Sequence, residues 1–279
     1  MKNKKKNRRR YTWGDLSLRG ISLFYIGLLI LLPLVAITVE AFRGGIPALW
    51  KNITLAQSVY SLKLTFILSF SMVLINVVTG TATAWVLVRY RFPLKNIINA
   101  IVDIPFAIPT VVTGIMLVAL YGPRSTVGML LGKFDIEIIF AKPGIVLALL
   151  FVTFPFVVRS VQPVLMEMDK DMEEAAQTLG ASRVRSFFKV VFPTLTPAIL
   201  TGAALSLSRA LGEFGSIVIV AGNIPFKTQV SSVYIYGEIE SANIPSALGS
   251  AVVLLGISLL ILIILNFLQR WSSKYDLRQ

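Results

Sequence analysis

The chain has 279 residues, 55% hydrophobic and 15% charged, with a mean hydropathy of +0.76. A soluble domain carries about 25% charged residues, so apolar residues gathered here into long uncharged runs mean membrane spans. With net charge +13 and neither Cys nor His, the sequence excludes a disulfide framework, thiolate metal centres, cysteine nucleophiles and histidine acid–base chemistry.

In chain order, residues 1–19 form a basic tail headed by Met1-Lys-Asn-Lys-Lys-Lys-Asn-Arg-Arg-Arg10, expected at anionic headgroups. The apolar run behind it reaches Phe42, longer than the ~7–15 residues of a signal-peptide core, which predicts an uncleaved first span. Residues 20–60 therefore hold one transmembrane helix and an outer segment. Residues 61–268 are read as the membrane domain proper, with a conspicuous loop at 163–196, and 269–279 as a second tail. Six spans are expected: Gly20 to Phe42, Leu62 to Val88, Ile97 to Tyr121, Pro143 to Gln162, Pro197 to Ala221 and Pro245 to Leu268. Each is near or above the ~20 residues that cross ~30 Å of hydrocarbon.

With six crossings, nineteen Lys and Arg fall on one side and seven on the other, with Arg209 inside a span. The positive-inside rule then places both termini in the cytoplasm. This also accounts for the basic balance without a nucleic-acid partner. No internal repeat is visible.

The loop between spans four and five carries the interior acids Glu167, Asp169, Asp171, Glu173 and Glu174. Its local pattern is helix, break, helix. Met166 to Leu179 favours a helix, Gly180 suits a left-handed C′ position, and Ser182 suits an N-cap. On the second helix Val184, Phe187, Phe188 and Val191 share one face, with Arg183, Arg185 and Lys189 off it. Pro193 is expected to stop that helix, and Thr196-Pro197 to start the next. Such an element either lies at the headgroups or docks in a groove on a cytoplasmic partner.

Glu174-Ala175-Ala176, then three residues, Gly180, nine residues and Val190-x-Phe-Pro193 resembles the EAA loop of binding-protein-dependent ABC importer permeases. The family pattern is EAA-x3-G-x9-I-x-L-P, with Val190 and Phe192 here in place of Ile and Leu. Arg209-Ala-Leu-Gly-Glu-Phe-Gly215, Ala221-Gly-Asn-Ile-Pro, Asp103-Ile-Pro-Phe-Ala-Ile-Pro-Thr110 and Phe154-Pro-Phe-Val-Val-Arg-Ser narrow the similarity to oxyanion permeases, closest to the sulfate/thiosulfate type. The resemblance covers about residues 20–270. It implies an all-α integral membrane protein of six transmembrane helices with the type I importer fold. It implies coupling to a separate ABC ATPase dimer through Glu174, Ala175, Ala176, Gly180, Ala181, Ser182, Arg183 and Pro193. It also implies a second, different permease chain and an extracytoplasmic sulfate-binding protein as partners, with molybdate or tungstate as the alternative cargo.

Two readings stand for each polar residue inside a span. Arg209 and Glu213, expected at i and i+4 near the middle of span five, are either a structural ion pair or groups that favour a divalent anion in the path. Thr110, Thr113, Ser206 and Ser208 either line a polar path or pack helices together. Asp103 is expected to snorkel or to pair with loop arginines. No G-x-x-x-x-G-K-[ST] motif is present, so no ATP site of that type exists in the chain. No metal, cofactor or catalytic residue is expected. Two rival classes are a lipid-modifying membrane enzyme, disfavoured because carboxylates do not cluster in the spans, and an ion-coupled carrier complete in one chain.

Overall fold

The structure is a computed structural model describing residues 13–169 and 171–276, with side chains described over 17–267. Most of the expected N-terminal basic tail lies outside the described residues. All regular structure in the described residues is helical.

The first span is α1 (Trp13–Ile26), a π turn at Gly27–Leu31, and α2 (Leu32–Ala41). After the short α3 (Gly45–Ile53) comes α4 (Ala56–Arg89), 34 residues long. Next are α5 (Lys95–Ala107), α6 (Thr110–Tyr121), the short α7 (Thr126–Gly132) and α8 (Lys142–Glu167). The loop contributes α9 (Asp171–Thr178) and α10 (Arg183–Ser186). A π turn at Phe187–Val191 then leads into α11 (Phe192–Leu211). The chain closes with α12 (Gly215–Ala221), α13 (Ser231–Glu240) and α14 (Ile244–Asp276). The last helix thus continues through most of the stretch expected as a C-terminal tail.

Five helical stretches among the described residues are long and apolar enough to cross a membrane. They are Ser17–Ala41, Ala56–Arg89, Lys142–Glu167, Arg183–Leu211 and Ile244–Phe267. The α5–α6 pair makes a sixth if it counts as one span, but it is bent by 114°. The expected single helix from Ile97 to Tyr121 is therefore corrected. Pro109 lacks an N–H and biases the residue before it away from helix, and Ile108 is extended at φ −88°, ψ 127°.

The fifth span is corrected too. It begins at Arg183, passes through Pro193 without stopping, and ends at Leu211 rather than Ala221. Pro193 is tolerated because the preceding turn is widened: Phe192 N–H donates to Phe187 O, an i to i−5 bond. That turn relieves the clash a proline ring makes with the carbonyl four residues back. The same device precedes Pro33, where Leu32 N–H donates to Gly27 O.

Helix α8 is the axis of the bundle, packed on α4 along one side and α11 along another. Ile145, Ala148, Val157, Val158 and Val161 on it are fully buried. Gly80 of α4 and Gly202 of α11 both face Val157. A Cβ on Gly80 would stand 2.8 Å from Val157 Cβ, and one on Gly202 2.7 Å from Val157 Cα. With little hydrophobic force between helices in lipid, such close backbone approach supplies the packing contacts. Thr153 adds polar ties. It accepts from Asn76 Nδ2 at 2.7 Å, and its carbonyl accepts from Ser206 Oγ at 3.3 Å, linking α4, α8 and α11. The first span and α14 are the least buried of the candidate spans.

Candidate functional site

The loop between α8 and α11 is built by local capping. Helix α8 ends after Glu167 because Met168 is extended, and Asp169 Oδ1 accepts from Asp171 N–H at 3.1 Å. The expected helix from Met166 to Leu179 is thus broken near Asp169, where an aspartate side chain offers the backbone a turn. Helix α9 ends at Gly180, which takes φ +87°. Gly180 N–H donates to Gln177 O and Ala181 N–H to Ala176 O, the paired bonds of a Schellman motif. Ser182 Oγ then accepts from Arg185 N–H at 3.3 Å and starts α10. Glu174, Ala175, Gly180, Ser182, Arg183 and Pro193 are exposed; Ala176 and Ala181 are half-buried. Leu179, Val184 and Phe188 also stand open, whereas Ser186 and Val191 are buried, so the expected apolar face is shared between the bundle and the surroundings.

The loop does not hang free. Glu173 Oε1 meets Arg89 Nη2 at the end of α4, and Phe187 sets its ring edge-on to Trp85 with centroids 5.2 Å apart. Beside these contacts a cavity of about 890 Å³ opens between α4 and the loop, lined by Val78, Thr81, Trp85, Glu174 and Phe188 among others.

The polar residues of the spans resolve into two groups. In the first, Arg159 of α8 reaches α5 and donates from Nε to Asp103 Oδ1 at 2.7 Å and from Nη2 to Oδ2 at 2.5 Å. It also donates to the side chain and carbonyl of Asn99 and to Gln162 Oε1. Asp103 therefore pairs with a helix arginine rather than a loop one. The signal for this was an intramembrane carboxylate, which demands a cation within reach.

The second group surrounds the break after α11. Glu213 lies beyond the helix end, not mid-helix as expected, because α11 ends at Leu211 with Gly212 at its C-cap. Its carboxylate is 1% exposed, and each oxygen has partners. Oε1 accepts from Ser216 N–H at 3.0 Å and Ser216 Oγ at 2.9 Å at the start of α12, and Oε2 sits 2.6 Å from Arg209 Nη1. Ser232 Oγ donates to the Glu213 carbonyl, fastening α13 to the same point. Arg209 is 36% exposed, and the guanidinium's remaining nitrogens have no protein partner among the described residues. Thr110 comes close: a Cβ on Gly215 would lie 2.3 Å from Thr110 Oγ1, so the break between α5 and α6 abuts the break between α11 and α12. Thr113 is buried with its Oγ1 unpartnered. Ser206 is fully buried and bonded to α8, while Ser208 Oγ bonds back to Ala204 O.

A bundle of long apolar helices, interrupted by two abutting breaks and carrying an exposed capped loop, defines a multi-pass membrane protein. Residues 76–274 match the family described as the binding-protein-dependent transport system inner membrane component, and the chain belongs to that family. It is 41% identical over 264 residues to the sulfate transport system permease protein CysT of Synechocystis, covering 94% of this chain and 92% of the relative. To CysT of Escherichia coli K12 it is 44% identical, covering 90% of each. Among solved structures, a bacterial ABC transporter involved in import of the acidic polysaccharide alginate superposes with a TM-score of 0.77 at 18% identity. It covers 92% of this chain and 95% of that one. The fold is thus that of ABC importer permeases.

Proposed function

We propose that this chain is a permease subunit of an ATP-driven importer for sulfate or thiosulfate. What carries the proposal is near full-length identity of 41–44% to relatives named as sulfate transport permeases. Without a nucleotide motif of its own, the chain takes its energy from a separate ABC ATPase dimer. That dimer docks on the exposed surface of Glu174, Ala175, Ala176, Gly180, Ala181, Ser182 and Arg183, with Pro193 at the start of α11 behind it. A second permease chain completes the pore, and an extracytoplasmic binding protein delivers the anion. A bacterial alginate ABC transporter has been crystallised in complex with an alginate pentasaccharide-bound periplasmic protein, which supports that assembly. Both termini face the cytoplasm.

The anion path runs past Arg209 and past Thr110, which stands against Gly215 at the start of α12. A third-exposed guanidinium in a span is costly against lipid and belongs beside water or another subunit. Glu213 offsets its charge, so the anion meets a weak site it can leave, as conduction requires. Thr113, with an unpartnered hydroxyl, sits on the same helix as Thr110. Ser206 serves packing, since its hydroxyl is spent on α8.

The test is uptake of labelled sulfate into proteoliposomes holding the whole complex and its binding protein. Uptake should require ATP and be competed by thiosulfate. Accumulation driven by an ion gradient without ATP would refute the proposal, and stronger competition by molybdate or tungstate would transfer the cargo to those anions.

A further inference from the structure

We propose that Arg89, Trp85 and Glu173 form a strut that ties the α8–α11 loop to α4, so that movement of the loop is passed directly to that helix. It rests on the proposed function. Arg89 is the last residue of α4 and Glu173 lies in the first turn of α9, 84 positions later. Their side chains are 9% and 19% exposed, with Arg89 Nη2 2.5 Å from Glu173 Oε1. One turn back, the Trp85 ring centroid stands 5.5 Å from the Arg89 guanidinium carbon, within cation–π range. The same Trp85 ring stands T-shaped to Phe187, the first residue of the π turn, and Phe187 packs in turn on Phe188 and Phe192. Both halves of the loop are therefore held by one end of one helix: α9 through charge, and the π turn through aromatic rings.

The physical consequence follows from burial. If Glu173 moved off alone, it would leave an uncompensated, nearly buried guanidinium whose Nε already lacks a partner. Helix α4 has 34 residues, about 50 Å at 1.5 Å per residue, so it reaches the opposite face of the bundle. There Gln57 Nε2 donates to Gln229 Oε1 at 2.7 Å, and Ser58 and Ser250 share a hydroxyl bond of 2.8 Å. A displacement of α4 thereby also reaches the segments before α13 and within α14. Neither Arg89 nor Glu173 touches the anion; both are positioning residues.

The experiment uses the assembled complex with Arg89→Gln, Glu173→Gln, the single reversals Arg89→Glu and Glu173→Arg, and the double reversal. Two quantities are read: sulfate taken up per ATP hydrolysed, and amide hydrogen exchange over residues 171–178. Each single change should lower uptake per ATP and speed exchange by about tenfold, the scale of one buried pair partly relieved by water. The double reversal should restore both toward wild type. Unchanged uptake per ATP in the single variants, even with faster exchange, would make the pair a mere structural tie and overturn the strut. So would a double reversal no better than either single. A wild-type complex without ATP-driven uptake would fail the proposed function instead, and the exchange data would still decide whether Arg89 holds the loop.

Discussion

Val157 sits between two glycines contributed by different helices, and that arrangement makes a residue-scale prediction about stability. A methyl on Gly202 would meet the Val157 backbone at 2.7 Å, where no rotamer change can relieve it. Overpacking of this kind costs about 1–3 kcal/mol. Gly256 of α14 has open space at the same position, and replacing it by Ala gains up to about 1 kcal/mol of helix propensity. Gly202→Ala should lower the melting temperature of the detergent-purified protein, and Gly256→Ala should leave it unchanged or raise it. Equal effects would mean that α8 and α11 do not approach so closely. Arg209 offers a prediction about function at the same scale. Arg209→Gln removes the charge and leaves the Glu213 carboxylate held by Ser216 alone, so the variant's melting temperature is read beside its activity. Sulfate uptake should fall by about tenfold, the worth of one charge-assisted contact, while ATP hydrolysis stimulated by the binding protein persists. Retained uptake would assign the pair to structure alone.

At the scale of elements, the loop between α8 and α11 depends on one backbone conformation. Gly180 needs φ +87° to reverse the chain between α9 and α10, and a Cβ there meets nothing. Gly180→Ala thus carries only the left-handed penalty of about 1–2 kcal/mol. Gly180→Pro cannot reach that angle at all, because the ring fixes φ near −65°. The proline variant should insert and assemble yet lose ATP-driven uptake, with the alanine variant close to wild type; uptake retained by both would remove the loop from coupling. The Gly180 turn was legible because glycine followed by a serine cap has a local physical meaning. The breaks at Ile108–Pro109 and Gly212–Phe214 were not, since hydropathy averages apolarity over a window and has no sense of direction. The start of α11 was missed for a related reason. Arg183, Arg185 and Lys189 read as loop, and Pro193 as a stop, when a π turn carries the helix through. Of the candidate path, Ser206 looked like Thr113 in sequence, and only the packing against Thr153 separates them. The Arg89–Glu173 and Arg159–Asp103 pairs join residues 84 and 56 positions apart, beyond any local periodicity.

For the whole molecule, the bent α5–α6 pair decides the parity of the fold. If the pair crosses the membrane there are six spans, and residues 1–19 share a side with the α8–α11 loop. If it turns back there are five, and the loop changes side. Charge distinguishes the two. Six crossings divide the Lys and Arg outside the spans nineteen to seven, whereas five crossings divide them fifteen to eleven. The positive-inside bias is satisfied far better by six. In a five-span arrangement Arg183, Arg185 and Lys189 would face outward together with Glu173 and Glu174, and no cytoplasmic ATPase could reach Gly180. The chain contains no Cys, so single cysteines report sidedness without background. In intact cells, a membrane-impermeant maleimide should label Arg124→Cys, before α7, and spare Ser182→Cys until the membrane is opened. Labelling of Ser182→Cys from outside would show that the α5–α6 pair is re-entrant, and would overturn the proposed docking of a cytoplasmic ATPase on the α8–α11 loop.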